Sequence, residues 1–214
     1  MRIAASADLH FTPTSYAKLK DQFERVRDDA EVLVLAGDLT NYGQPDEMEP
    51  LLNVLVRLRL PTVVVLGNHD HESGKEEELK RMLIGGGIKV LDGSGYERDG
   101  VGFAGAKGFV GGFGRGVLTA FGEREIKEFV RASIDETMKL ERGISQLRAP
   151  KRVVVVHYSP IVDTVQGEAP GDISASWHVA HGRGHRSARS GSGAARPRPS
   201  WQTRWSNAGR SAGA

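Results

Sequence analysis

The sequence predicts an α/β fold with a largely parallel sheet, and three features of the chain indicate it. Short apolar runs alternate with longer amphipathic runs over the first 160 residues, which is the order of strands and helices in such folds. The short runs near residues 33, 63 and 153 are continuously apolar, as in strands that are covered on both faces. Residues 96–103 read YERDGVGF, and their central Asp99-Gly100 is typical of a tight turn between antiparallel strands.

The individual elements follow from the same patterns. The predicted strands are residues 2–8, 31–38, 61–68, 88–91, 101–106 and 151–157. The predicted helices are residues 16–28, 45–59, 74–84 and 122–142. Pro45 suits the first turn of the second helix, and the acids that follow it suit the positive end of the helix dipole. Three consecutive glycines, residues 85–87, would end the third helix.

The composition excludes several classes of protein. The chain has no cysteine, so it can form neither disulfides nor thiolate metal sites. No apolar run approaches the roughly 20 residues that are needed to span a bilayer. The opening MRIAASADLH becomes polar too early for a signal peptide. We therefore expect a cytoplasmic protein that has no membrane partner.

The composition changes near residue 171 and divides the chain. Arg, Gly, Ser, Ala and Pro fill 32 of the 44 positions in residues 171–214. Such a segment cannot bury enough apolar surface to offset the entropy lost on ordering. It carries a net charge of +6, which leaves −4 for the first 170 residues of a chain whose total is +2. We predict one folded domain over residues 1–170 and a disordered basic tail over residues 171–214.

Two explanations of the basic tail stay open. The one we favour is a reading-frame slip in a GC-rich gene, because out-of-frame GC-rich codons encode mainly these five residue types. The other is a genuine tail that binds nucleic acid through phosphate contacts, with Trp177, Trp201 and Trp205 stacking on bases. The tail is the only indication of a nucleic-acid partner in the sequence.

Polar side chains follow four of the predicted strands, at the point where each strand ends. They are Asp8 and His10 after the first strand, Asp38 after the second, Asn68, His69 and Asp70 after the third, and His157 after the last. The carboxyl ends of adjacent parallel strands converge on one crevice, where ligands bind. We therefore expect these side chains to meet, although up to roughly 150 residues separate them along the chain.

The residue types at these strand ends fit divalent metal ions. Carboxylate oxygens, imidazole nitrogens and an amide oxygen suit Mn, Fe, Zn or similar metals. A carboxylate such as Asp38 can bridge two ions roughly 3.5–4 Å apart, which is the arrangement that supports in-line phosphoryl displacement by water. The alternation Asp8-x-His10 would place both side chains on one face of an extended segment, so that the pair grips one ion. His69 suits a general acid near neutral pH.

The four motifs together, D-x-H, GD, GNHD and a strand-final histidine, resemble the calcineurin-like metallophosphoesterase superfamily over residues 1 to about 165. The resemblance implies a sandwich of two mixed β-sheets flanked by helices, with a dinuclear metal centre at the strand ends. It implies two divalent ions as cofactors and hydrolysis of phosphomonoesters, phosphodiesters or nucleotide substrates. Oligomeric state is not implied by any of these features.

The resemblance also implies roles for single residues. Asp8 and His10 would hold the first ion, Asp38 would bridge the two ions, and Asn68 and His157 would hold the second.

The remaining strand-end residues would act on the substrate. His69 would stabilise or protonate the leaving oxygen, and Asp70 would orient the His69 ring. Asn41 lies where members of the superfamily vary, and it is a candidate substrate contact. His71 has no role in the pattern.

One part of the superfamily pattern is missing from this sequence, namely a later G-H-x-H whose two histidines complete the metal sites. The nearest candidates are His178, His181 and His185, whose spacings do not reproduce the alternation. The C-terminal part of the fold is therefore expected to be incomplete. The alternative function is a catalytically crippled, metallophosphoesterase-like binding protein that lacks these two ligands.

Overall fold

The computed structural model describes residues 1–12, 23, 25–113, 117–161 and 163. All of them belong to the unit Met1–Val179, and the fold below is that of this unit alone. The predicted tail, residues 171–214, lies outside the described residues, as does most of the first predicted helix. Residues 23 and 25–28 of that predicted helix are described, and they are helical.

The described part of the chain contains seven strands and, after the helical residues 25–29, three helices. The strands are β1 (Ile3–Ser6), β2 (Val32–Ala36), β3 (Thr62–Val65), β4 (Lys89–Val90), β5 (Gly95–Arg98), β6 (Val101–Ala106) and β7 (Lys151–Val156). The helices are α1 (Pro45–Leu58), α2 (Glu76–Gly85) and α3 (Arg124–Ser145), and a single 3-10 turn covers His69–His71. Each of the six predicted strands and the last three predicted helices is thus confirmed, with shifts of a few residues at the ends.

The strands form two sheets. The first has the order β1-β2-β3-β4 and is parallel throughout, with Val34 paired to Ala5 on one side and to Val63 on the other. The second has the order β5-β6-β7, in which β5 and β6 are antiparallel and β6 and β7 are parallel. The α/β fold with two sheets is confirmed. Only the second sheet is mixed within the described residues, whereas the prediction had two mixed sheets.

The hairpin between β5 and β6 has the predicted two-residue turn. Asp99 and Gly100 both have positive φ, at 47° and 75°. Two positive φ values in succession match the twist of the flanking strands, and this is why Asp-Gly favours such a turn.

Alternate residues of β2 pack on opposite sides of the first sheet. Val32 and Val34 pack with Phe103 of the second sheet, whereas Leu33 and Leu35 pack against the helices α1 and α2. All four side chains are at most 4% exposed. The apolar run is continuous because both faces of the strand are covered.

The strand β7 differs from this expectation. Val155 is buried between the sheets, but Val154 is 48% exposed on the opposite face. The prediction of a strand covered on both faces is therefore wrong for β7 in the described structure, where the only paired neighbour is β6. In the part of the chain that the structure describes, every helix is too short or too polar to cross a membrane.

Candidate metal centre and active site

The four predicted strand ends meet at one edge of the two sheets. The loop after β1 lies alongside the loop after β2, and two backbone hydrogen bonds join them. The N–H of Asp8 donates to the carbonyl of Gly37 at 3.1 Å, and the N–H of His10 donates to the carbonyl of Asp38 at 3.0 Å. At the end of β7, the His157 ring donates from Nδ1 to the carbonyl of Ala36 at 2.9 Å, which ties the second sheet to the first.

Two clusters of candidate ligands lie at this edge. Asp8, Asp38 and His157 form one, and His10, Asp38 and His69 form the other. Within each cluster, one ligand atom per residue lies within 4.8 Å of the others. Asp38 belongs to both clusters, so its carboxylate is the point at which they join.

Asp38 is nearly inaccessible to solvent, with 3% of its surface exposed. Its Oδ1 accepts a hydrogen bond from the backbone N–H of His69 at 2.9 Å and lies 3.4 Å from Nε2 of His157. Its Oδ2 lies 3.7 Å from Nε2 of His10. A buried carboxylate that faces three imidazole-bearing residues is suited to sharing a cation with them.

The contact between His157 and Asn68 tests whether these residues fit a metal ion. Nδ1 of His157 carries a proton, because the carbonyl of Ala36 can only accept. In the neutral ring Nε2 therefore has a lone pair, and it lies 2.9 Å from the Asn68 Oδ1, which is also an acceptor. Two ligand atoms that each lie about 2.1 Å from one divalent ion, at right angles, are about 3.0 Å apart. The donor types and this spacing fit a metal ion.

His69 is held in a similar way on the other side of Asp38. Its Nδ1 donates to the backbone carbonyl of Asn41 at 2.8 Å, so that Nε2 is left for the site. The rings of His69 and His10 meet edge to face, with centroids 4.5 Å apart. His71 belongs to neither cluster, since its Nδ1 hydrogen-bonds the carbonyl of Gly67 at 2.8 Å.

Asp8 lies at the exposed edge of its cluster. Protein atoms around its carboxyl group still desolvate it enough to raise its pKa. The charge that His157 can carry lowers this pKa, and the carboxylate of Asp38 raises it further. A bound divalent cation would reverse the balance by favouring the carboxylate.

The expected extended conformation of Asp8-x-His10 is wrong. Asp8 and His10 have φ values of 53° and 42°, in the left-handed region, so simple alternation does not apply. The two residues also fall in different clusters, Asp8 with His157 and His10 with His69. Asp38 is left-handed too, with φ of 48°. Such backbone is costly for non-glycine residues and is concentrated at functional sites.

Asp70 makes no hydrogen bond to the His69 ring within the described residues, and its expected role in orienting that ring stays a prediction. Its carboxylate is fully buried and accepts four hydrogen bonds, from the backbone N–H groups of Leu39, Thr40 and Gly67 and from the Thr40 hydroxyl. The ring of His69 is hydrogen-bonded directly to the Asn41 carbonyl. Asp70 therefore ties the loop after β2 to the loop after β3. The side chain of Asn41, the candidate substrate contact, is half-buried beside them.

Two glycines make room for the site. A Cβ on Gly67 would overlap the Asp38 backbone nitrogen and Oδ1 and come within 2.9 Å of its Cγ. A Cβ on Gly37, whose φ is +91°, would come within 2.5 Å of the His157 Cγ. Both glycines are therefore required by close approach of the ligand side chains.

We expect Gly67→Ala to disrupt the metal centre because it displaces Asp38. The variant should lose most of its bound divalent metal, measured by elemental analysis after reconstitution. Gly85→Ala is the matched control, since a Cβ at Gly85 meets no atom within 4 Å. Full metal content in Gly67→Ala would contradict the assignment of Asp38 as a ligand.

The sequence of the chain matches a known protein family. The calcineurin-like phosphoesterase profile matches residues 1–186 of the chain. The chain belongs to the calcineurin-like phosphoesterase family. This confirms the resemblance that the four motifs indicated. The family is metal-dependent, in keeping with the two clusters of candidate ligands.

Three proteins that are similar to this calcineurin-like phosphoesterase share at most 28% sequence identity with it. A glycerophosphodiester phosphodiesterase, GpdQ of Enterobacter lignolyticus (strain SCF1), is 28% identical over 38% of this chain and 34% of its own length. The chain thus spans about a third of that curated relative. A crystal structure with 14% identity and a TM-score of 0.54 covers 84% of this chain and 76% of its own, and it supports the fold alone. A protein of unknown function from Aquifex aeolicus has 19% identity over 50% of this chain and 61% of its own. Its TM-score is only 0.28.

The structure brings together all of the strand-end residues that the sequence predicted as metal ligands. Two further residues, Thr40 and Gly43, support the site and were not predicted from the sequence. Their hydrogen bonds are made by backbone N–H groups and by the Thr40 hydroxyl, and such bonds leave no motif in the sequence. The candidates His178, His181 and His185 lie outside the described residues.

Proposed function

We propose that the chain is a metal-dependent phosphoesterase that hydrolyses phosphomonoesters or phosphodiesters at the two clusters. The observation that supports it best is the shared, buried carboxylate of Asp38. One carboxylate common to two sets of ligands suits two divalent ions roughly 3.5–4 Å apart. The proposed ligands are Asp8, His10, Asp38, Asn68 and His157, with Mn, Fe, Zn or a similar metal.

The clusters suggest how the ligands divide between the ions. His10 would hold one ion, while Asp8, Asn68 and His157 would hold the other, with Asp38 between them. The resemblance implied that Asp8 shares an ion with His10, whereas the clusters favour an ion that Asp8 shares with His157. The change rests on the clusters, in which Asp8 lies with His157 and His10 lies with His69.

The protein side chains then have distinct tasks. When bound, the two ions would supply the positive charge that makes water nucleophilic near neutral pH and offsets charge developing on the phosphoryl oxygens. In its doubly protonated form, His69 would give the proton on Nε2 to the oxygen of the departing alcohol and return to the neutral ring, whose Nδ1–H stays on the Asn41 carbonyl. The Asn41 side chain is the proposed substrate contact. Asp70 would keep the two loops in register.

The substrate is proposed to be a small phosphoester or a nucleotide. The name of the GpdQ relative says that it acts on glycerophosphodiesters. That name supports testing a phosphodiester beside a monoester.

A metal-binding protein without turnover is the second candidate. It is favoured by one observation, the absence of the G-H-x-H pair from the sequence. Loss of one ligand from each ion would weaken its binding. In that case the protein would hold metal poorly and release no product.

The proposal is tested by hydrolysis of bis(para-nitrophenyl) phosphate and para-nitrophenyl phosphate by the full chain with added Mn²⁺. We expect release of nitrophenolate from at least one substrate, loss of the activity with a chelator, and its return when the metal is restored. No release from either substrate by protein that contains metal would refute the phosphoesterase and favour the second candidate.

A further inference from the structure

We propose that Thr40 is a positioning residue that, through Asp70, fixes the His69 ring with its proton on Nδ1 and its Nε2 facing the metal clusters. The catalytic consequence of this arrangement rests on the proposed phosphoesterase function. The orientation of the ring itself does not, and it is measured separately below.

The carboxylate of Asp70 is fully buried and holds the loop after β2. Its Oδ1 accepts hydrogen bonds from the Thr40 N–H at 2.8 Å and the Thr40 hydroxyl at 2.7 Å. Its Oδ2 accepts from Leu39 at 3.1 Å and Gly67 at 2.8 Å. Because Asp70 follows His69 directly, these bonds fix the backbone on which the His69 ring stands.

The Thr40 hydroxyl acts as both a hydrogen-bond donor and a hydrogen-bond acceptor. It donates to Asp70 and accepts the backbone N–H of Gly43 at 3.1 Å. Thr40 has no exposed surface, so water cannot replace either bond. The hydroxyl therefore sets the path of the backbone between Thr40 and Gly43.

The carbonyl of Asn41 lies in the backbone segment between Thr40 and Gly43. It accepts the Nδ1–H of His69 at 2.8 Å. These contacts form a closed cycle. His69 and Asp70 are neighbours in the chain, as are Thr40 and Asn41. Hydrogen bonds join the two pairs, one set between Asp70 and Thr40 and one between the Asn41 carbonyl and the His69 imidazole. A carbonyl can only accept, so it selects the tautomer that is protonated on Nδ1.

Further bonds hold the same loop from outside the ring. The Ser73 hydroxyl donates to the Gly43 carbonyl at 2.5 Å. The Glu47 carboxylate accepts from the backbone N–H groups of Tyr42 and Gln44 at 2.9 and 3.2 Å. Because these anchors do not depend on the Thr40 hydroxyl, we expect the loop of a Thr40 variant to stay folded while the Asn41 carbonyl shifts.

The experiment compares Thr40→Val and Thr40→Ser in the metal-loaded full chain. Valine removes the hydroxyl at nearly constant shape, and serine restores it. We expect Thr40→Val to lower kcat by about 10–100-fold, as small misplacements of a catalytic group do, with KM changed less than about 3-fold. Thr40→Ser should recover most of the lost kcat.

Thr62→Val is the matched control, because Thr62 is a second buried threonine with a hydrogen-bonded hydroxyl. That hydroxyl donates to the backbone carbonyl of Leu60 at 2.9 Å, and not to a carboxylate. It lies at the amino end of β3, away from the clusters. Its kcat should be unchanged even if its melting temperature falls. Equal losses of kcat in Thr62→Val and Thr40→Val would show a general effect of destabilisation and overturn the proposal.

The ring of His69 is read directly by ¹⁵N NMR of the zinc-loaded protein. We expect His69 to carry its proton on Nδ1 in the wild type and in Thr40→Ser, and to lose this single well-defined state in Thr40→Val. A wild-type His69 protonated on Nε2 alone would overturn the proposal, as would an unchanged signal in Thr40→Val. This readout stands even if no phosphoester is hydrolysed, so failure of the positioning role and failure of the proposed function are distinguishable.

Discussion

Asp38→Asn should abolish turnover and leave the fold intact. The substitution keeps the size of the side chain and removes the negative charge shared by the two clusters. Asparagine tolerates the left-handed backbone that Asp38 adopts, so little strain is added. We expect kcat to fall by about 10³-fold or more, which is the scale for removal of a central catalytic group. Metal content should fall in parallel, because each ion loses a shared anionic ligand.

Asp99→Asn is the matched control for this variant. Asp99 is also left-handed, with φ of 47°, but it is 70% exposed in the turn between β5 and β6. The measurements are nitrophenolate release and elemental analysis on both variants. Wild-type activity and wild-type metal content in Asp38→Asn would rule out Asp38 as a ligand shared by two ions.

His69→Ala should have the second-largest effect and a different signature. If His69 donates a proton to the leaving oxygen, its loss should lower kcat by about 10²–10⁴-fold. The loss should be largest for alkyl phosphoesters, because an alkoxide needs the proton more than a nitrophenolate does. The comparison of an alkyl and a nitrophenyl leaving group therefore measures the acid role itself.

Metal content distinguishes the two roles open to His69. The residue lies in a cluster with His10 and Asp38, so its Nε2 is also within reach of an ion. A proton donor should leave the metal content of His69→Ala unchanged, whereas a ligand should not. His71→Gln is the control from the same 3-10 turn, and it belongs to neither cluster. Equal loss of activity for both leaving groups, together with loss of metal, would assign His69 as a ligand instead.

The fold could be predicted from the sequence because its apolar pattern is unambiguous where both faces of a strand are covered. The run from Val32 to Leu35 serves the sheet interface and the helix interface in alternation, so neither polar residues nor glycine interrupt it. The same run in β7 misled the prediction, since Val154 is exposed although its neighbours are apolar. Continuity of apolar residues does not say how many faces are covered.

The convergence of the site could also be predicted, because parallel strands bring their carboxyl ends to one edge. The detailed contacts could not. His69 is oriented by a backbone carbonyl, that of Asn41, and any residue at that position offers the same group. The left-handed conformation of Asp8 and His10 has no signature in a D-x-H pattern either. Consequently the sequence indicated which residues meet, but not which of them share a partner.

The number of divalent ions bound per chain tests the central claim most directly. Full-length protein is stripped with a chelator, reconstituted with Mn²⁺ or Zn²⁺, desalted and measured by elemental analysis. We expect close to two ions per chain, with Asp38 as their shared ligand. A value near zero would rule out the dinuclear centre.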